Sequence, residues 1–267
     1  MRALKKFGQH FLEAAWADKL IATIDPQPGD LFLEIGPGPG ALTQRLAPRV
    51  AQLTAVDVDR AMIESLGPKL PPNATLVHAD FLTVDPASLG AGPLRVVGNL
   101  PYNVSSPILF KLIEMHRASG RGVAGPALID ATLMVQREVA ERIEAKPGGG
   151  DYGVLAILVQ LHADARRALT LPPGAFRPAP RVHSAVVSLR FRAPRVAVGD
   201  EGAFTAMVRS MFTQRRKTLS NALKPYAESR GASAAGALAA AEIDSKRRPE
   251  TLQLEELARL AAFFSAR

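Results

Sequence analysis

The stretch LFLEIGPGPGALTQRLAPRV (31–50) decides the fold. LFLEI (31–35) is an apolar run of strand length. A glycine-rich turn follows, and ALTQRLAPRV (41–50) reads as a helix opening just after it. The text downstream repeats the alternation. LTAVDV (53–58), ATLVHA (74–79) and LRVVGN (94–99) read as strands, and AMIESLGPKL (61–70) reads as a helix. Strand–helix alternation predicts an α/β fold with a parallel, doubly wound sheet. Ser105-Ser106-Pro107 predicts a serine N-cap with proline at the first helical position, ahead of ILFKLIEMH. ALIDATLMVQREVAERIEA (127–145) reads as a strand running into a helix, and KPGGGDYG (146–153) as a loop. VLAILVQLHA is apolar again, and ARRALTL and SAVVSLRFR (184–192) close the sheet.

RAPRVAVGD (192–200) reads as a linker. Beyond it Phe204, Met207, Val208, Met211, Phe212, Leu219 and Leu223 follow 3.6-residue spacing. Residues 231–241 are alanine-rich, either helix or connector, and LEELARLAAFF (254–264) is a final amphipathic helix. The expected organisation is an α/β domain over 1–193 and a small all-helical domain over 194–267.

EIGPGPGALT (34–43) lies between strand and helix, where glycine lets a ligand approach the backbone and a helix start offers free amides. Pro37 and Pro39 separate it from the dinucleotide fingerprint. Asp57 ends the next strand, 21 residues after Gly36, and Asp80 ends the third. Each acid alone reads first as a helix cap. Together, beyond the carboxyl ends of neighbouring strands, they outline a nucleoside edge: Asp57 for ribose hydroxyls, Asp80 for an exocyclic amine.

Composition narrows the function. With 267 residues, 47% of them hydrophobic, the chain has enough apolar material for a substantial core. No apolar run is long enough to span a membrane, and the N-terminus has no secretory h-region, so neither a membrane partner nor export is expected. Cysteine is absent, which removes disulfides and thiolate metal sites and fits the cytoplasm. The histidines, at 10, 78, 116, 162 and 183, lack i, i+3 or i, i+4 spacing, so no metal is expected. The net charge of +8 is uneven: residues 1–159 net −1, residues 160–199 net +6 and residues 200–267 net +3. That asymmetry fits either a polyanion docking on the C-terminal part or a solubilising surface.

At GNLPYN (98–103), after the fourth strand, the sequence resembles the catalytic tetrapeptide of N6-adenine methyltransferases. FGQHFL (7–12), EIGPGPG, VDVD (56–59), HADF (78–81), NLPYNVSSPIL (99–109), PPGAFRPAPRVHSAVV (172–187) and FTQRRKTLSNAL (212–223) stand in the order seen in the rRNA adenine dimethyltransferases, the bacterial small-subunit branch above all. The resemblance covers nearly the whole chain and implies a Rossmann-like class I methyltransferase fold. It implies S-adenosylmethionine as cofactor, leaving as S-adenosylhomocysteine. By motif, His10 and Leu12 close over the cofactor, Gly36 approaches its methionine part, Asp57 takes the ribose, Asp80 the adenine, and Asn99 sits by the methyl. Family members often carry Asn where His10 stands and Glu where Asp57 stands; both replacements keep hydrogen-bonding capacity. The implied partner is 16S rRNA, in the small ribosomal subunit or its precursor, where two adjacent adenosines of the 3′-terminal hairpin become N6,N6-dimethyladenosine. A monomer is expected.

The chemistry explains the motif. The exocyclic nitrogen of adenine is a poor nucleophile because its lone pair is delocalised. The Asn99 side-chain oxygen and the Leu100 carbonyl are suited to accept both N–H hydrogens, Pro101 fixes the turn, and Tyr102 stacks on the base. The target base must leave its stack to arrive. Phe176 has its loop stiffened by neighbouring prolines; the resemblance implies a second aromatic wall for the flipped base, and the other reading is a core anchor. Arg177 and Arg181 on the same loop, then Arg215, Arg216 and Lys217 on an expected helix, with Arg247 and Arg248 weaker, read as phosphate contacts or as solvated surface. Two rival readings stand beside this one: a large-subunit rRNA adenine dimethyltransferase sharing the core motifs, and a ribosome-assembly factor that keeps the fold without catalysis.

Overall fold

The computed structural model describes residues 10–90 and 92–265. They form two compact units. One runs to Ala140 and resumes over Asp164–Arg192; the other takes Glu141–Ala163 and the chain from Ala193. The last break falls at 192/193, where the sequence reading sets a boundary at 193/194. Residues 141–163, placed by the sequence reading in the α/β domain, belong instead to the helical unit.

The α/β unit contains β1 (Phe11–Leu12), α1 (Ala14–Ile24), β2 (Leu31–Ile35), α2 (Thr43–Leu46), β3 (Gln52–Asp57), α3 (Arg60–Leu66), β4 (Ala74–His78), β5 (Pro93–Asn99), α4 (Ser105–Gly120) and β6 (Ala127–Gln136). After an excursion through the other unit it regains the chain in β7 (Ala163–Leu171), β8 (Phe176–Arg177) and β9 (Ser184–Phe191). Among the described residues the main sheet has the strand order β4-β3-β2-β5-β6-β9-β7. The five strands from β4 to β6 pair in parallel, as expected. β9 pairs antiparallel to β6.

The order places the site. The chain walks outward from β2 to β4, then returns to lay β5 on the other side of β2. That reversal is a topological switch point, where a crevice opens beyond the strand carboxyl ends. At the amino ends Arg95 of β5 ties the sheet together. It pairs with Asp30 at 2.6 Å and Asp130 at 3.1 Å, and donates to the Ile24 carbonyl at 2.7 Å. Beneath the sheet Leu20, Ile21, Phe32, Leu46, Leu53, Val97 and Phe176 are buried in one cluster with Leu12. Each such side chain contributes about 1.5–3 kcal/mol by leaving water.

Two local expectations change. The helix read over 41–50 is α2, continued by a 3-10 turn over Ala47–Arg49 that carries Pro48. α4 is capped at Val104 without a side-chain bond, so Ser105 and Ser106 fall inside its first turn, and Ser105 Oγ donates back to the Tyr102 carbonyl.

α5 (Arg137–Glu144) leads into the helical unit, which holds α6 (Val154–His162), α7 (Glu201–Thr213), α8 (Leu219–Ala222), α9 (Lys224–Ser229), α10 (Ala234–Ala240) and α11 (Leu254–Ser265). Asp200 caps α7, accepting from the Gly202 and Ala203 amides at 2.8 and 3.0 Å, and Phe204, Met207, Val208 and Met211 are buried. The alanine-rich segment is a helix because Ser233 caps it, accepting from Gly236 N–H at 3.0 Å.

Candidate active site

A cavity of about 290 Å³ lies at the carboxyl ends of β2, β3 and β5 in the α/β unit. Its lining brings together every residue read as cofactor-binding or catalytic: His10, Leu12, Gly36, Asp57, Asp80, Asn99, Leu100, Pro101 and Tyr102. Residues 7–9 of the FGQHFL motif lie outside the described residues.

The glycine turn forms because three of its residues adopt left-handed backbone, at Gly36 (φ 69°), Gly38 (φ 53°) and Gly40 (φ 91°). An L side chain at Gly40 would meet Leu66 Cδ1 at 2.3 Å, so the turn can press against α3 only without one. Asp57 holds the turn in place. Its Oδ2 accepts from Gly38 N–H at 3.1 Å and its Oδ1 from Asp59 N–H at 2.9 Å. Burial pushes the Asp57 carboxyl above the usual range, against the pull of these two amides. Asp80 is exposed and caps the following 3-10 turn through Leu82 N–H at 2.9 Å. Asp80 therefore combines a capping role with a place on the cavity wall, whereas Asp57 braces the glycine turn and leaves the capping of α3 to Asp59, which accepts from Ala61 N–H at 3.0 Å.

Gly98 lets β5 approach β2: a Cβ there would stand 2.7 Å from the Ile35 carbonyl oxygen. The next residue, Asn99, ends the strand. Its Nδ2 donates to the His10 carbonyl at 2.7 Å. A carbonyl only accepts, so the amide nitrogen must face it, and Oδ1 remains an acceptor at the cavity. Leu100 N–H donates to the Met134 carbonyl at 3.1 Å. Tyr102 is held on two sides. Its hydroxyl bonds Ser184 Oγ at 2.9 Å, and its ring stacks on His10 with centroids 5.6 Å apart. Burial raises the phenol's pKa, which keeps it neutral. The His10 Nδ1 bonds the Pro178 carbonyl at 2.7 Å, tying the N-terminal segment to the proline-rich loop.

Glu34 also lines this cavity, and the sequence reading assigned it nothing. It is 2% exposed, and its Oε2 has no hydrogen-bond partner among the described residues. Burial pushes its carboxyl up to about 7, opposed in part by Thr43 and reinforced by the nearby Asp57. The available signal was an acid inside an apolar strand, LFLEI.

Phe176 is a correction. It is 2% exposed, its backbone pairs with Leu12 in the β1–β8 ladder, and its ring lies in the core cluster rather than on the cavity wall. Strand pairing with β1 sets its direction, and in this structure it anchors the core. On the same loop Arg177 is exposed and bonds Glu13, while Arg181 is exposed.

A second correction concerns the helical unit. Arg215, Arg216 and Lys217 lie in the turn between α7 and α8, not on a helix. Lys217 N–H closes the turn on the Gln214 carbonyl at 2.8 Å, and Leu219 N–H starts α8 on the Arg247 carbonyl at 2.7 Å. Arg215 donates to the Gly150 carbonyl, while Arg216 and Lys217 are exposed. Arg247 is a structural residue, forked onto Glu256 and donating to the Thr251 carbonyl at 2.8 Å; Arg248 is exposed. Among the described residues no group of three His, Cys, Asp or Glu is placed to hold a metal, and no helix is long and apolar enough to cross a membrane.

Comparison with known proteins points the same way. A sequence profile of the family "Ribosomal RNA adenine dimethylase" matches residues 1–260. The chain is 42% identical to the "Ribosomal RNA small subunit methyltransferase A" of Geobacter metallireducens over 270 residues, 98% of this chain and 95% of the relative. It is 43% identical to the protein of that name from Pseudomonas savastanoi, over 97% of this chain and 94% of the relative. Among solved structures it resembles a dimethyladenosine transferase from Plasmodium falciparum in fold, with TM-score 0.74, 24% identity and coverage of 96% and 98%. It also resembles the 23S rRNA methyltransferase ErmE, with TM-score 0.65, 26% identity and coverage of 96% and 99%.

Proposed function

The chain belongs to the ribosomal RNA adenine dimethylase family, and from that premise we propose that it uses S-adenosylmethionine to dimethylate N6 of two adjacent adenosines in the 3′-terminal hairpin of 16S rRNA. The observation that carries the reading is the Asn99–Tyr102 turn, seated on the glycine cradle with the Asn99 amide oriented by the His10 carbonyl.

The cavity fits the cofactor on its own terms. The cradle is open because left-handed glycines build it, and a buried Glu34 oxygen lacks a partner. Asp80, Asp57 and Gly36 would hold the adenine, ribose and methionine parts, with His10 and Leu12 over them. When bound, the cofactor supplies an electrophilic methyl group. This chain's residues prepare the nucleophile. Asn99 Oδ1 and the Leu100 carbonyl accept the two N6 hydrogens, which favours a pyramidal nitrogen with its lone pair directed forward. Pro101 locks the turn. Tyr102, kept in place by Ser184, stacks on the flipped base for about 1–3 kcal/mol. No strong base is required, because the nitrogen becomes acidic as it is alkylated; positioning contributes most of the acceleration.

Arg181, Arg216, Lys217 and Arg248 are the exposed cations we assign to rRNA phosphates; Arg177 and Arg215 could join them by exchanging their present partners. The cavity is built from one chain, so the reading needs only a monomer, acting in the cytoplasm on small subunits or their precursors. The test is transfer of labelled methyl to small subunits lacking the modification, with unmodified large subunits and duplex DNA in parallel. Dimethyladenosine in 16S rRNA supports the reading. Label in the large subunit alone moves the protein to the branch represented by ErmE. Binding without label makes it an assembly factor.

A further inference from the structure

We propose that Val182 is a wedge for the RNA, taking the stacking place that the target adenosine vacates when it enters the cavity. The inference rests on the adenosine-methylation reading above and deepens its target side.

A base that leaves its stack uncovers the apolar faces of its neighbours, which costs free energy. An apolar side chain set against those faces offsets the cost. Among the described residues four large apolar side chains are exposed: Val58, Val123, Ile129 and Val182. Val58 belongs to the cavity wall beside Asp57. Val123 lies in the connection that leads into β6, and Ile129 lies near the amino end of β6, at the sheet edge away from the cavity. Of the four, Val182 stands where a target strand would pass.

The sheet register gives its place. Asn99 at the end of β5 is level with Met134 of β6, and Met134 is level with Val186 of β9. β9 runs antiparallel to β6, so the loop that precedes it overhangs the edge where the Asn99–Tyr102 turn stands. Asp80, Asp57 and Gly36 stand at or beyond the ends of β4, β3 and β2, to one side of β5; β6 and β9 lie on the other. The loop is pinned around Tyr102 at both ends. The Pro178 carbonyl bonds His10, whose ring stacks on Tyr102, and Ser184 Oγ bonds the Tyr102 hydroxyl. The His183 carbonyl accepts from Arg137 N–H at 3.0 Å. Between these pins Pro180 is buried, while Arg181, Val182 and His183 are exposed.

Val182 is 44% exposed and lies two residues before Ser184, so its Cα is within about 7 Å of the residue that holds the stacking tyrosine. A β-branched side chain has few rotamers, and valine therefore presents a stiff apolar edge rather than a floppy one. Its surroundings select the partner. The segment RPAPRVH (177–183) carries two arginines and no acid; Glu13, paired with Arg177, is the acid at its start. An apolar tip among cations suits a polyanion whose bases have apolar faces, which is a strand of RNA.

Single-turnover methyl transfer by the full chain to small subunits lacking the modification separates a wedge from an ordinary surface contact. Val182 is exposed, so substitutions there spare the core. Val182→Ala is expected to lower the rate at saturating enzyme about three- to tenfold, with affinity for the subunit and for S-adenosylmethionine within about twofold of wild type. Val182→Leu, which restores an apolar edge, should bring the rate back to within about twofold. A direct readout uses subunits assembled with 16S rRNA that carries 2-aminopurine, which fluoresces when unstacked, at a target position. Wild type and Val182→Leu should raise the fluorescence, and Val182→Ala should raise it no more than about half as far. An unchanged rate in Val182→Ala, a loss of subunit affinity without loss of rate, or a matching loss of S-adenosylmethionine affinity would each overturn the proposal. So would methyl transfer by the wild type with no rise in fluorescence. Failure of the wild type to transfer methyl to small subunits would overturn the methylation reading itself, and with it this inference.

Discussion

The carboxyl edge of the sheet and the turn after α7 hold most of the side chains with chemistry to offer, and they are held in opposite ways. At the sheet edge each functional group is fixed by another: Asp57 by the Gly38 and Asp59 amides, Asn99 by the His10 carbonyl, Tyr102 by Ser184. In the turn Arg216 and Lys217 extend into solvent, while the neighbouring backbone carries the order. Transfer chemistry needs atoms placed within fractions of an ångström, so an edge of mutually fixed groups suits it. Phosphate attraction is long-ranged and tolerant of angle, so mobile cations on a firm backbone suffice.

This contrast can be broken in four places. Asn99→Ala should have the largest effect, lowering methyl transfer by about 100-fold or more while RNA affinity stays within a few-fold; single-turnover transfer and filter binding separate the two. Retained transfer would remove Asn99 from the mechanism. Next comes Glu34. Its raised carboxyl means the folded state holds the proton more tightly than the unfolded chain, so its contribution is full below pH 4.5 and lost as the pH rises through about 7. Relative to Glu34→Gln, the wild type should lose about 3 kcal/mol across that window, read from urea midpoints at successive pH values. Gly98→Ala should cost about 1–3 kcal/mol of stability in the same assay, because the new methyl meets the Ile35 carbonyl. The smallest effect belongs to the turn. Replacing Arg215, Arg216 and Lys217 together by Ala should flatten the salt dependence of RNA binding by about one to two units, with stability nearly unchanged. Arg247→Ala sharpens that measurement: losing its bonds to Glu256 and Thr251 should destabilise the fold by about 1–2 kcal/mol without changing the salt slope.

The two regions also differed in how far the sequence could be read. Strands such as LFLEI and LRVVGN are apolar runs of strand length, and glycines and acids at their ends keep their meaning wherever the sheet forms. The cofactor edge was legible for that reason. Glu34 escaped because an acid in a strand shows nothing about which atoms surround it. Phe176 sits between prolines that stiffen the loop, but its direction depends on pairing with Leu12, 164 residues away in the chain. QRRKTLSN has good helix formers; it breaks into a turn because the Leu219 amide bonds the Arg247 carbonyl, a partner invisible to local periodicity. The serines before Pro107 are sound caps by composition, yet the turn that begins at Tyr102 starts the helix two residues earlier.

The interleaving of the two units bears on how the protein can be cut. Ending the chain at residue 193 looks like a way to isolate the α/β part. It would leave α6 behind, with Leu155, Ile157, Leu158, Val159 and Leu161 normally buried and α7, its packing partner, deleted. Such a fragment would carry a bare greasy helix into solution and invite aggregation. A fragment that follows the folded unit would instead leave out Glu141–Ala163 and end at Arg192, keeping to the borders of that unit rather than to the order of the text.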